Sequence, residues 1–354
     1  MHKHLRNGLL FAVTASAFLL AACSSDTSEQ NGTMADQQAD VLNIYSARQE
    51  DLVRPILDRF TEDTGIETRL LTADAGALLS RLRSEGINTT ADVLITVDAG
   101  NLNHAKQAEV IKPLSSELLH EVIPAHLRDE EDYWSGLSKR ARVFFVNPDM
   151  LDPAEISSYE DLADPRFEGK ICIRSSDNVY NQSLVASMIA EHGDEETLSW
   201  AEGLVNNMAR DPQGGDRDQI RSAAAGRCAI AVANTYYYGA MQNGSAEDQA
   251  VTEKLTLVWP NQDNRGTHIN VSGAGMVAAS EKTEEVRALL EYLATAEAQE
   301  WYAQVNNEHP VNPNVEPSET LASWGEYQAD TLSLDTLGAL NGEAVRLMDR
   351  ARWR

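Results

Sequence analysis

Residues 133–147 read Tyr133-Trp-Ser-Gly-Leu-Ser-Lys-Arg-Ala-Arg-Val-Phe-Phe-Val-Asn147, extended in character with no long helical repeat inside. Strands and helices alternate on both sides of it. Upstream lie a strand at 41–46, a helix at 49–63 spaced by Leu52, Ile56, Leu57 and Phe60 and ended by Gly65, a strand at 66–71, a helix at 74–85, a strand at 92–97 and a helix to about Ala108. That order predicts a mostly parallel sheet. Downstream lie a short helix at 159–163, a strand at 170–174, helices near 178–191, 194–208 and 216–225, and a strand at 228–233. Extended runs at 255–259 and 267–279 then lead into helices at 283–295 and 297–305. The middle stretch therefore reads as a pair of crossover strands between two α/β lobes, the architecture of a clamshell binding protein with a central cleft. No internal repeat is visible.

A chain of 354 residues, 42% of them hydrophobic, supplies core for two domains. Its formal charge is −26; without the first 22 residues, which carry only Lys3 and Arg6, 27 basic and 55 acidic side chains leave −28. Such a field opposes nucleic acid and anionic membrane surfaces as partners. The N-terminus has a basic head, an apolar run from about Gly8 to Ala22, and the ending Leu20-Ala-Ala-Cys23. It reads as a cleaved signal peptide, residues 1–22, of the lipoprotein type, with Cys23 lipidated. Residues 23–40 then form a polar, aperiodic tether, and the folded part begins near Val41, outside the cytoplasm. The expected location is periplasmic or cell-surface, with membrane contact through the lipid anchor only. Cys172 and Cys228 each precede a tyrosine of interest by eight residues, Tyr180 and Tyr236. Equal offsets in an oxidising compartment favour a disulfide between them, and two isolated cysteines make a poor zinc signal.

The chemistry concentrates in Asn234-Thr-Tyr-Tyr-Tyr-Gly239, which closes the strand at 228–233 and sets three phenols at the usual mouth of an α/β binding site. In Arg174-Ser-Ser-Asp-Asn-Val-Tyr-Asn-Gln-Ser183, capping residues precede Tyr180, placing it in or near a helical first turn where the macrodipole favours an anion. Tyr180, Tyr236 and Tyr237 at strand-to-helix junctions of one lobe could converge on one ion. Deprotonating three phenols of pKa ~10 at pH 7 costs about 4 kcal/mol each, roughly 12 kcal/mol in all. Fe(III) repays that cost, whereas a soft or weakly charged metal does not. The competing reading is that the tyrosines form a packing or stacking surface. Arg140 and Arg142, with Ser176 and Asn234, are candidates to balance phenolate charge or hold an accompanying anion; a solvated basic face is the rival reading of the arginines. His120, Glu121 and His126 lack zincin spacing, Gly273-Ala-Gly275 suits a tight strand approach better than a dinucleotide loop, and no Gly-x-Ser-x-Gly marks a hydrolase.

The chain resembles the ferric-iron-binding, substrate-binding proteins of bacterial ABC importers. The similarity runs from about Leu42 to the C-terminus through Asn43-Ile-Tyr-Ser-Ala-Arg48, Ala91-Asp-Val-Leu-Ile-Thr-Val-Asp98, Ser138-Lys-Arg-Ala-Arg-Val143, the 174–183 and 234–239 stretches, and Arg265-Gly-Thr-His-Ile-Asn-Val-Ser-Gly273. It implies the class II periplasmic-binding fold, transferrin-like, with Fe(III) in the cleft and docking of the loaded monomer on an inner-membrane permease. The N-lobe is expected over 41–140 plus about 268–318, and the C-lobe over about 141–267 plus 319–354. Tyr180, Tyr236 and Tyr237 match the family's iron-binding tyrosines, while Tyr238 falls where the family varies. Where relatives often carry His or His-Tyr, this chain has Gln49 and Glu50. Either could join the coordination sphere, or water or a small synergistic anion could fill it; the cargo is then a ferric ion or a ferric chelate, and no enzymatic activity is expected. The rival of the same fold binds a polyamine, thiamine or organic anion, expected to use an aromatic cage with carboxylates.

Overall fold

In the computed structural model, which describes residues 41–354, the 133–147 stretch forms one strand of 12 residues, Ser135–Val146. Among the described residues the nine strands in chain order are β1 (Val41–Ser46), β2 (Glu67–Thr72), β3 (Val93–Val97), β4 (Ile111–Lys112), β5 (Ser135–Val146), β6 (Ile171–Cys172), β7 (Ile230–Asn234), β8 (Thr256–Val258) and β9 (Ile269–Val277). They run in the order β2-β1-β3-β9-β5-β7-β6, with β4 on β9 and β8 on β5. β5 divides its length between two sheets: its first half pairs with β9, as in Ser135↔Ala274 and Ala141↔Ile269, and its second half with β7 and β8, as in Arg142↔Asn234 and Phe144↔Val258.

The expected pair of crossover strands is thus β5 together with β9, a run placed downstream by sequence. The sheet is also mixed rather than mostly parallel. β1 runs parallel to β2 and β3, and β6 to β7, but the crossing strands run antiparallel to their neighbours. A strand that must return between two βα series can only oppose them. The Gly273–Gly275 stretch is the tight approach its composition suggests. A Cβ on Gly275 would stand 2.6 Å from the carbonyl oxygen of Tyr133, and one on Gly273 would stand 2.8 Å from that of Ser135.

The result is two α/β lobes sharing β5 and β9. Phe144 and Phe145, both fully buried on β5, face opposite sides of the sheet. Phe144 packs edge-on against Tyr159 at 5.6 Å between centroids, and Phe145 stacks on Tyr238 at 4.5 Å. The two helices expected at 178–208 form one span, Val179–Asn207, interrupted at Gly193, whose φ of 76° breaks the helical run. The helix Leu334–Arg350 had no counterpart in the sequence reading. It packs against the helix Ala99–Gln107 so closely that a Cβ on Gly338 would meet that of Asn103. Cys172 and Cys228 are joined as a disulfide, tying the starts of the two segments that carry the site tyrosines.

Candidate metal centre

Tyr180 and Tyr236 occupy equivalent positions. Each is the second residue of a helix, Val179–Asn207 and Thr235–Gln242, behind an asparagine N-cap, Asn178 and Asn234. Strands β6 and β7 are adjacent and parallel, so the helix N-termini that follow them point to the same edge. The two hydroxyls lie 3.2 Å apart, and the ring of Tyr237 lies 4.1 Å from that of Tyr236. Both helix dipoles favour negative charge there. Tyr238, by contrast, turns inward; its hydroxyl donates to the carbonyl of Thr252 at 3.0 Å, which makes it a core residue.

A buried charge network holds the two helix starts in register. The guanidinium of Arg142 donates to Asn181 at 2.5 Å, to Asn234 at 3.0 Å and to Asp216 at 3.1 Å. Arg174 donates to the second oxygen of Asp216 at 3.0 Å, and Asn181 donates back to the carbonyl of Arg174 at 2.8 Å. Asn181 follows Tyr180 and Asn234 stands two residues before Tyr236, so one arginine fixes both tyrosine-bearing turns. Arg142 is itself placed by Tyr159, whose hydroxyl donates to the Arg142 carbonyl at 2.6 Å.

Arg140 lies 5.4 Å from the Tyr180 ring centre, Arg174 6.0 Å from it, and Arg217 5.6 Å from that of Tyr237. Arg140 donates to Ser272 at 2.8 Å, and its Nε and Nη2 have no protein partner. Arg140 and Arg142 are each 1% exposed, so the reading of a solvated basic face does not hold. Ser176 lies on the loop before the Tyr180 helix and is not among the residues lining the cleft.

The tyrosines line one wall of a cleft of about 340 Å³. Across it stand Gln49, Asp51 and Leu52 after β1, Asp74 after β2 and Val97 at the end of β3, with Arg48 and Glu308 deep inside. Arg48 pairs with Glu308 at 2.9 Å and also bonds Ser272. The two N-lobe candidates separate here. Gln49 lines the cleft, whereas the Glu50 carboxylate is exposed and held by Arg54 at 2.9 Å. Among the described residues no three His, Cys, Asp or Glu side chains converge as a metal site, and His120 pairs with Asp132 at 2.6 Å near the surface. That leaves the phenols as the metal-binding candidates.

Burial, with the neighbouring phenols Tyr180 and Tyr237, pushes the Tyr236 pKa well above its ordinary 10; Arg140 pulls the other way. Burial, then Tyr180 and Asp216, likewise raises Tyr237, against a hydrogen bond from Tyr236 and the charge of Arg174. Both phenols are therefore neutral at pH 7, and ionising them costs more than the roughly 4 kcal/mol of a free phenol. A cation must supply that energy, and several kcal/mol per ligand selects a hard, trivalent ion. Sequence reasoning did not single out Arg48, Asp216, Arg217 or Glu308. Their partners lie up to 260 residues away, so no local spacing announces them.

The match to known proteins covers nearly the whole folded part. Residues 88–329 fit the model of the bacterial extracellular solute-binding protein family. Iron uptake protein A1 of Synechocystis is 40% identical over 348 residues, 98% of this chain and 96% of that protein. Iron uptake protein A2 of the same organism is 43% identical, covering 90% and 92% of the two chains. The Trichodesmium protein solved in complex with iron and citrate superimposes with a TM-score of 0.86 at 44% identity, over 89% of this chain and all of that one. With its two lobes, its shared crossing strands and this similarity, the chain belongs to the bacterial extracellular solute-binding proteins, in the group that contains the cyanobacterial iron uptake proteins.

Proposed function

We propose that the protein binds ferric iron outside the cytoplasm and delivers it to an ABC-type permease, with Tyr180, Tyr236 and Tyr237 as the phenolate ligands. The observation that carries the reading is the meeting of three phenols at two aligned helix N-termini, backed by a buried arginine network. Three phenolates neutralise Fe(III), and Arg140, Arg174 and Arg217 stabilise them as they form. The proteins named above as iron uptake proteins, and the one solved with iron and citrate, favour this reading over a polyamine, thiamine or organic-anion carrier. Binding and release are the whole of the chemistry; no substrate is transformed.

The finer features of this reading are a monomer with lobes divided near residues 140, 268 and 318, water or a small anion completing the coordination sphere, and Gln49 facing the ion. Cys23 carries the lipid and residues 23–40 tether the folded part; both lie outside the described residues. The test is to add ferric citrate to apo protein and record the visible spectrum of the wild type and of Tyr236→Phe. A broad tyrosinate-to-iron charge-transfer band that weakens or moves in the variant is expected. No band, and no protection from heat unfolding by iron, would refute the assignment.

A further inference from the structure

The cleft lining contains three carboxylates: Glu308 is paired, while Asp51, inside the short turn Glu50–Leu52, and Asp74, at a helix N-cap, accept no hydrogen bond among the described residues. Glu308 is fully committed, accepting from Arg48 at 2.9 Å and from Ser138 at 2.8 Å. Asp74 occupies the N-cap of the helix Ala75–Glu85. Its backbone has the extended conformation that position requires, φ −60° and ψ 146°, and its carbonyl accepts the first helical bond from Leu78 at 3.0 Å. Its carboxylate nevertheless makes no capping bond. The N-caps of the next two α-helices along the chain, Asp98 and Ser116, do accept from backbone N–H groups. A capping bond contributes about 1 kcal/mol, so Asp74 forgoes a local gain that its position offers. Among the described residues no donor reaches that carboxylate; it is exposed and faces the same cleft as the three tyrosines.

We infer that Asp74 is the ligand that the wall opposite the tyrosines contributes to the bound metal, an assignment that rests on the ferric reading above. A carboxylate offers Fe(III) a hard oxygen already ionised at pH 7, without the deprotonation cost each phenol carries. Its charge is also accommodated. Around the cleft Arg48, Arg140, Arg142, Arg174 and Arg217 outnumber the two carboxylates that pair with them, Glu308 and Asp216, so a fourth anionic ligand meets surplus positive charge. Glu50, the carboxylate that sequence alone brings forward, lacks this placement because Arg54 holds it outside the lining. Engaging Asp74 and the tyrosines together requires the two walls to approach across the cleft, as two lobes joined by β5 and β9 can do.

The assignment is tested by titrating apo wild type, Asp74→Asn, Asp74→Glu, Asp51→Asn and Tyr236→Phe with ferric citrate, reading iron retention against excess citrate and the charge-transfer band. Asp74→Asn is expected to weaken retention by about 10-fold or more and to move the band to longer wavelength, because losing an anionic donor leaves a more electron-poor ferric centre. Asp74→Glu, which keeps a carboxylate, should stay closer to wild type in both, and Asp51→Asn should lose clearly less retention than Asp74→Asn. Apo melting temperatures near wild type would establish that the variants are folded. Asp74→Asn indistinguishable from wild type, while Tyr236→Phe alters the band, would overturn the role of Asp74 and leave the ferric reading standing. An equal loss in Asp51→Asn would overturn it in favour of a general field from that wall. No band in the wild type would overturn both.

Discussion

The two walls of the cleft are built differently. On the tyrosine wall the turns that carry Tyr180 and Tyr236 are pinned by Arg142 through Asn181 and Asn234, and Asp216 joins Arg142 to Arg174. On the opposite wall, Gln49, Asp51 and Asp74 make no side-chain hydrogen bond among the described residues, and Glu50 has turned to solvent. One wall is preorganised and the other is free to adapt. The difference follows from the chemistry of the side chains on each wall. Phenols need a fixed, electropositive setting before they can ionise, whereas a carboxylate or amide can be recruited as the ion arrives.

The sharpest way to break this contrast is at Asp216, fully buried between two guanidiniums. Asp216→Asn leaves Arg142 uncompensated in the interior and should destabilise the apo protein by about 3–5 kcal/mol in urea unfolding. A loss below about 1 kcal/mol would mean the wall is not held by this network. A smaller effect is expected at His309, buried beside Lys139 where β5 crosses between lobes. Burial, then the Lys139 charge, lowers its pKa to about 3 from the ordinary 6.5. The unfolded chain takes up a proton near pH 6.5 that the folded protein refuses until about pH 3, so stability is lost as pH falls through that window, at about 1.4 kcal/mol per unit. His309→Asn should therefore lose about 2 kcal/mol less than wild type between pH 7 and pH 5 in urea titrations. An unchanged pH slope would show that this histidine does not titrate as described. The smallest effect belongs to Glu50. With its exposed partner Arg54, Glu50→Ala should change stability by less than about 0.5 kcal/mol and iron affinity by less than about 2-fold. A larger loss of affinity would bring Glu50 back to the cleft.

Much of the architecture was legible because it is written in local patterns. The alternation over 41–108 placed β1, β2, β3 and their helices within a few residues, and the capping residues before Tyr180 and the end of β7 before Tyr236 put both phenols at helix starts. Matching eight-residue offsets pointed to the Cys172–Cys228 bond. What escaped depends on long-range pairing. The antiparallel seam between β5 and β9 joins segments more than 120 residues apart, and the Leu334–Arg350 helix is recruited by packing on distant helices. Arg48 and Glu308 form a site pair only after the chain has crossed between lobes. Asp74 stood in the sequence only as the first residue of the helix at 74–85, and its place in the cleft lining emerges from the fold.

The central claim is that iron displaces protons from the buried, neutral phenols Tyr236 and Tyr237. It is tested most directly by measuring the apparent Fe(III) affinity by chelator competition across pH 6 to 8.5, corrected for the chelator's own protonation. Because burial holds Tyr236 and Tyr237 protonated throughout that range, the logarithm of the affinity should rise by at least two for each pH unit, one for each of these two phenols. A slope near zero would contradict the claim, since ligands already ionised in the empty protein have no proton to release.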